Sequence, residues 1–382
     1  MLRGTNQELG KPFNKRIVLE LIRRRGPISR TDIAENVGLT VQTVSTIVRE
    51  LEGDGLLLSE RERPRGRGVP PTKLVVNPQG GFAVGLHVTP MSVQAALINM
   101  RGDVVESLRC RVEHAAPDRA FSIIRDLVDR LKAAKPGRRL LGAGMAMPGP
   151  FGVQSMSFVG STTMTGWQDV DILERLSEAT SLPAFVETDM AAAALGEQLY
   201  GWGTELKDYY YLFFGVGLGG AMVHDGAVLT GNWGNAGEVG HITIIPEGKP
   251  CACGNKGCLE QYVSLDALRA SGLSEGDWVE DIFPLLCRAM RTVENLFDPE
   301  TIVVGGSTPK ALIERVARSD DFGNSVSARR DRKRPRMVIA RGGEEAVLRG
   351  AAALAVSGAL SPQGGQMFAR QDARIANAAS LI

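Results

Sequence analysis

The 382-residue chain predicts a mixed α/β protein in two parts, a compact helical unit followed by a body of two lobes around a cleft. Three observations carry that expectation. Residues 1–73 place three short runs of helical periodicity ahead of strand-like runs, and from about Gly81 strand and helix patterns alternate. Charge divides along the same line. Residues 1–73 hold fourteen Lys and Arg against nine Asp and Glu, whereas the remainder holds thirty against thirty-four. A basic front end on an acidic body suggests nucleic acid at one end and a small ligand at the other.

Bulk composition narrows the class. Hydrophobic content of 43% and charged content of 23% fit an ordinary globular protein. No signal peptide or apolar run of spanning length is present, so a cytoplasmic protein without membrane contact is expected. Five cysteines occur; Cys110 and Cys287 stand alone and read as reduced thiols.

In the front unit, Phe13, Ile17, Val18, Leu21 and Ile22 fall on one helical face, and Gly26-Pro27 stops that helix. Ser29 to Asp32 has capping-box spacing and opens a short helix through Ile33 and Val37, ended by Gly38. Thr40 then caps a third helix with Val41, Val44, Ile47, Val48 and Leu51 toward the core. Gln42, Thr43, Ser45, Thr46 and Arg49 remain for its other faces. Short polar side chains early on such a helix suit a major-groove reader, so Thr40 and these five residues are the candidate DNA contacts. The runs Leu56–Glu60 and Thr72–Val76 can pair as a wing. Its tip contains Arg65 and Arg67 beside glycines, suited to a narrow minor groove. The tip can also be read as a solvated linker, and the trihelical unit as a protein-docking module.

In the body, Phe82–Val88 and Ser92–Ile98 read as strands, with a turn at Arg101-Gly102. Ala120–Ala134 has helical periodicity and Leu140–Met147 is a buried strand. A strand at Tyr209–Phe214, a helix from about Val279 to Phe297 and a strand at Thr301–Val304 follow. The basic stretch 328–336 reads as a solvated loop before a strand at 337–340, and Gly350–Ala355 as a closely packed helix. The expected domains are a winged helix-turn-helix over 1–78, the body over 79–360 and a flexible tail over 361–382.

The most informative stretch runs from Glu238 to Glu260. His241, Cys251, Cys253 and Cys258 place one imidazole and three thiols within eighteen residues, enough to close a tetrahedral Cys₃His zinc site. A disulfide-bearing knuckle is the competing reading; compartment and spacing favour zinc. Glu238 and Glu260 are interleaved with these residues although zinc does not need them, and they suggest the wall of a pocket for a polyhydroxylated ligand.

This constellation resembles the ROK family of sugar kinases and sugar-responsive repressors, over about residues 10–358. The resemblance implies an actin-like, ribonuclease-H-like pair of lobes with sugar and nucleotide held between them. It implies a structural Zn²⁺ on His241, Cys251, Cys253 and Cys258. It also implies sugar contacts at Thr188, Asp189, Glu238, His241 and Glu260. The front unit is similar to that of the family's repressors, including an Arg-Gly-rich wing tip; the kinases usually lack it.

Several positions depart from the kinase pattern. In the stretch Gly85 to Met91, which corresponds to the kinases' acidic, glycine-rich phosphate turn, His87 replaces the acid and Thr89 and Pro90 replace glycines. Pro90 also removes a backbone donor. Val216 replaces a threonine in the run Gly215 to Gly220, which by itself is as consistent with a tight turn as with a phosphate site. Asp189 matches the kinases' catalytic base, a carboxylate able to take a sugar proton, but also suits a helix cap. Here it is expected to be vestigial. Thr188 and Trp233 stand where amides are usual, which favours a larger or modified sugar stacked on Trp233 or Trp167. The expectation is a non-enzymatic, sugar-responsive regulator, most often a repressor. It would bind a palindromic DNA operator as a homodimer or tetramer and act on carbohydrate genes. The alternatives are a zinc-containing, ATP-dependent sugar kinase and a regulator controlled by a protein partner.

Overall fold

The computed structural model of the protein describes residues 11–61, 72–134, 136–148, 164, 166–167, 170–231, 236–317, 323–327 and 331–360. Arg65, Arg67, Trp233 and the tail from 361 lie outside the described residues.

The front unit contains α1 (Lys11–Arg25), α2 (Arg30–Val37), α3 (Val41–Gly53), β1 (Leu57–Arg61) and β2 (Thr72–Val76). Both helix starts follow the sequence chemistry. Ser29 and Asp32 form a reciprocal capping box on α2, Gly38 ends that helix in the left-handed region, and the Thr40 hydroxyl accepts from the Thr43 amide. Strands β1 and β2 are antiparallel, with Leu57 opposite Val76, and Ile28 bridges to Leu74. Val44, Ile47, Val48 and Leu51 are buried as expected, but Val41 is 46% exposed. It occupies the first turn of α3, three residues ahead of the first buried position.

Helix α1 is buried on more than the predicted face. Besides Ile17, Val18 and Ile22 it buries Asn14, Leu19 and Glu20. The extra surface packs against the body, so the front unit and part of the body share one apolar cluster that runs from Ile17 to Ala359.

The body is built twice on one plan. The first lobe contains β3 (Phe82–Thr89), β4 (Ser92–Asn99), β5 (Val104–Arg111), α4 (Pro117–Ala134), β6 (Leu140–Met147), α5 (Ile172–Thr180) and β7 (Ala184–Thr188). Its sheet order is β5-β4-β3-β6-β7, antiparallel through β3 and parallel beyond it. After α6 (Asp189–Tyr200), the second lobe contains β8 (Tyr209–Phe214), β9 (Leu218–His224), β10 (Ala227–Val228), α7 (Leu265–Ser271), α8 (Glu275–Phe297), β11 (Ile302–Gly305), α9 (Lys310–Ala317) and β12 (Met337–Ile339). Here the order is β10-β9-β8-β11-β12, again three antiparallel strands followed by two parallel ones. This is the actin-like, two-lobed arrangement.

Helix α10 (Ala346–Leu360) returns to the first lobe and is buried from Ala351 to Val356. Gly85 and Gly144 face each other across β3 and β6 and let it lie directly on the sheet. A Cβ at Gly85 would sit 2.1 Å from the Leu348 carbonyl oxygen, and one at Gly144 would sit 1.8 Å from that of Ala351. Gly85 thus serves helix packing here.

The basic stretch before β12 differs from the expected solvated loop. Arg332 and Arg336 pair with the buried Glu294 of α8, and Arg334 pairs with Glu205 at 3.1 Å. A buried carboxylate on α8 demands such partners, which a local reading of the arginines does not reveal. No helix among the described residues is long and apolar enough to cross a membrane.

Candidate functional site

Two sites share a wall. Glu238 to Gln261 folds as a loop tied by short bridges, Thr243 to Cys258 and Pro250 to Lys256. Gly257 is required by close approach, since a Cβ there would lie 1.6 Å from the Ile245 carbonyl oxygen. The loop gathers His241, Cys251, Cys253 and Cys258, whose ligand atoms all lie within 4.8 Å of one another. Cys251 Sγ is 3.6 Å from His241 Nδ1, and Cys253 Sγ is 3.6 Å from Cys258 Sγ. Those edges match a tetrahedron with bonds of about 2.0–2.3 Å, and all the cysteines are free thiols, so the disulfide reading is not the arrangement adopted. Its thiols respond unequally: despite burial, hydrogen bonds from Asn255, Cys251 and Cys258 hold Cys253 below the usual thiol value. Burial, then hydrogen bonds and charge from Cys253 and Cys251, push the Cys258 thiol up to about 12. A cation relieves that cost, and the donor set fits a metal ion.

Opposite the thiols, His241 Nε2 lies 4.0 Å from Glu238 Oε2. One imidazole therefore links the Cys₃His cluster to a cavity between the lobes. That cavity is lined by His87 from the end of β3, Asp189 from the start of α6, and Glu238, His241 and Glu260 from the loop. The Glu260 carboxylate accepts from the Leu218 amide at 2.9 Å. Burial first, then the charges of Glu260 and Asp189, push Glu238 up to about 7. Burial likewise raises Asp189 to about 6, against its bond from the Met190 amide. His87 is held down at about 4 by burial and by Arg109, and its buried Nε2 has no hydrogen-bond partner among the described residues and lies 4.0 Å from Asp189 Oδ2. These groups can accept and share hydrogen bonds from a hydroxylated ligand.

Of the sequence candidates, Asp189, Glu238, His241 and Glu260 come together. Thr188 does not reach the cavity wall; it is buried and caps α6 by accepting from the Ala191 amide. With Thr188 in that role, Asp189 is free of the capping task. Trp167 cannot serve as a stacking platform. It is 5% exposed, packs 5.3 Å from Phe121 and donates its indole N–H to the Ala115 carbonyl oxygen. A local reading saw an aromatic near a glycine and missed the core around it.

The phosphate-type segments are tight turns. Thr89 and Ser92 pair across the β3–β4 turn, where their hydroxyls bond at 2.9 Å. The Gly215 amide donates to the Gly217 carbonyl, closing the β8–β9 hairpin, in which Phe214 faces Leu218.

On the front unit, Thr40, Gln42, Thr43, Thr46 and Arg49 are exposed and Ser45 is half-buried. The Arg49 guanidinium folds back, donating to the Ser45 carbonyl oxygen and the Thr46 hydroxyl. The exposed Val41 joins this surface.

Between the front unit and the body runs a junction that sequence reasoning missed. Arg23 and Glu20 of α1 pair at 2.8 Å with side chains only 2% and 1% exposed, and Arg24 adds a second contact to Glu20. Arg23 lies against Ser357 of α10 and within electrostatic reach of Tyr200, the last residue of α6. Arg23 Nη1 and the Tyr200 hydroxyl are both buried, and the two side chains interact directly.

Comparison with known proteins agrees with this architecture. Residues 83–357 match the ROK family, and residues 14–57 match a winged helix-turn-helix DNA-binding family. The xylose repressor of Bacillus subtilis (strain 168) is 28% identical over 268 residues, covering 70% of this chain and 69% of the repressor. A glucokinase of Halalkalibacterium halodurans is 30% identical over 269 residues, 60% of this chain and 81% of the kinase. Among solved structures, a ROK family transcriptional regulator described as a homolog of the Escherichia coli MLC protein superposes with a TM-score of 0.68 at 25% identity. That match covers 94% of this chain and 98% of the regulator.

Proposed function

Because the chain belongs to the ROK family and carries a winged helix-turn-helix in front of the family body, we propose that it is a sugar-responsive transcriptional repressor of carbohydrate genes. The observation that carries this reading is the path between its two ends. Helix α6 begins at Asp189 in the cleft and ends at Tyr200, beside Arg23 of the DNA-binding unit. A ligand that moves Asp189 moves a rigid helix whose far end touches α1, and α10 packs along the same helix through Gly350 against Ala192. In a homodimer or tetramer, half-sites of a palindromic operator lie about 34–36 Å apart, so a small rotation at that junction separates bound from released states.

On α3, Gln42 and Arg49 would reach base edges or phosphates, Thr40, Thr43, Ser45 and Thr46 would assist, and Val41 would meet a thymine methyl. Arg65 and Arg67 would follow the minor groove. In the body, His241, Cys251, Cys253 and Cys258 would hold a structural Zn²⁺, which when bound supplies fixed charge and holds the wall bearing Glu238 and Glu260. Asp189, Glu238, His241 and Glu260 would take sugar hydroxyls, with Thr188 fixing Asp189 from behind.

Phosphoryl transfer is lost on this reading, because the kinases' metal and phosphate positions carry His87, Pro90 and Val216. A zinc-containing sugar kinase is the rival, favoured by Asp189 in the cleft and by likeness to a glucokinase.

The test is fluorescence anisotropy of the purified chain on its own upstream DNA at fixed salt, with and without a panel of sugars. Tight binding weakened by one sugar supports the reading. No specific DNA binding under any condition overturns it, and ATP-dependent sugar phosphorylation would establish the rival.

A further inference from the structure

A second cavity lies at the far end of the second lobe. Among the described residues it is lined by Glu300, just before β11, and by Arg332, Lys333 and Arg334, just before β12. Both strands run parallel to β8, whose opposite end, at Phe213, lines the cleft. Cavity and cleft therefore sit at opposite ends of one sheet. The volume is about 470 Å³, within the range of small-molecule sites, but the wall is charged and not apolar.

The described wall carries three cations against the single acid Glu300, an excess of two positive charges. The carboxylates that pair with it do not cancel that excess, because each is already shared. Glu294 lies 3.5 Å from Arg332 but also accepts from Arg336 at 2.8 Å. Glu205 lies 3.1 Å from Arg334 and 2.7 Å from Arg341. Lys333 has no ion pair among the described residues.

The two guanidiniums are also held in place. Arg332 Nη2 donates to the Ser327 carbonyl oxygen at 2.9 Å, while its Nη1 is buried with no hydrogen-bond partner among the described residues. A buried donor of that kind calls for an acceptor. Arg334 lies 5.2 Å from the centre of the Trp202 ring, which Arg341 covers at 3.6 Å. Donors fixed before binding lose less freedom when a ligand arrives.

We propose that this cavity binds the phosphate group of a small phosphorylated molecule, with Arg332 and Arg334 as forked donors and Lys333 as a point charge. A phosphate monoester carries about −1.5 to −2, which the excess of the wall matches. Guanidiniums suit its planar pairs of oxygens. Duplex DNA spreads its charge along a rod and calls for a line of cations, whereas this wall gathers them around one point.

The experiment is isothermal titration of the full-length chain with inorganic phosphate and with glycerol 3-phosphate. Ionic strength is fixed with chloride, at about pH 8, where both probes are doubly charged. The expected result is one bound ion per chain with a Kd of about 1 mM or tighter. Lys333→Glu should weaken it at least tenfold. Glu300→Gln removes the acid but keeps an oxygen for the Lys207 amide, which lies 3.4 Å from Glu300 Oε1, and should tighten binding at least twofold. The opposite signs are the readout, because structural damage weakens binding in both variants.

No saturable binding of either probe overturns the proposal, as does an affinity that Lys333→Glu leaves within twofold of wild type. A third outcome also overturns it: Lys333→Glu weakens binding of a random-sequence duplex while neither probe binds. That result assigns the patch to the DNA backbone. The sugar-responsive reading stands apart from all of these outcomes, since the cleft lies at the other end of the sheet.

Discussion

The Arg23 guanidinium of the DNA-binding unit donates to the Ser357 hydroxyl of the body's last helix at 3.2 Å, from a side chain only 2% exposed. The same guanidinium pairs with Glu20, whose carboxyl it holds, together with Arg24, below the usual range despite burial. Arg23→Ala leaves Glu20 buried with Arg24 alone and should cost about 3 kcal/mol or more, read by urea unfolding of the full chain. In the anisotropy assay, sugar release of DNA should weaken more than DNA affinity itself.

Acid should act on the same pair. A depressed carboxyl contributes stability above its ordinary value of 4.5, lost as pH falls through the lower folded value. Wild-type stability should therefore drop below about pH 4.5. A Glu20→Gln variant should show a flatter acid limb in thermal melts.

Asp189 has the opposite sign. Its carboxyl is raised from 3.8 to about 6, so its stabilising contribution is present below 3.8 and lost as pH rises through 6. Asp189→Asn should exceed wild type in stability at pH 8 by about 2 kcal/mol, with the advantage vanishing toward pH 4. Melting curves of both proteins across that range check it.

Cys253→Ser should abolish tight binding of one metal ion per chain, measured by elemental analysis after dialysis against a weak chelator. Because metal-binding free energy at a folded site is folding free energy, the melting temperature should fall as well.

Glu197 is fully buried at the end of α6 and accepts from the backbone amides of Trp202, Arg341 and Gly342. Glu197→Ala orphans three donors and should cost several kcal/mol, about 1–3 for each, less whatever water can replace. Loss of soluble expression or a strongly lowered urea midpoint is the expected result.

Local chemistry made much of this protein legible. The Ser29 and Thr40 caps, the Gly38 stop and the wing strands depend on neighbours within a few residues, and they stand where the spacing put them. The gathered His241, Cys251, Cys253 and Cys258 were readable for the same reason. What depended on distant partners was not. Arg23 and Glu20 look like surface charges on an amphipathic helix until α10 covers them. Trp167 looks like a platform until Phe121 packs on it. Thr188 and Asp189 could each have capped α6, and only the backbone path decides that Thr188 does.

The shared core around α1 has a practical consequence for protein engineering. Ile17 to Leu56 of the front unit belong to the same apolar cluster as Leu348 to Ala359 of α10. A chimera that grafts this operator reader onto another sensor, cut at the linker between β2 and β3, would strip α1 of the surface it is built to meet. A working graft must carry the α10 face and the Tyr200 corner with it, so the unit of exchange is the junction and not the domain.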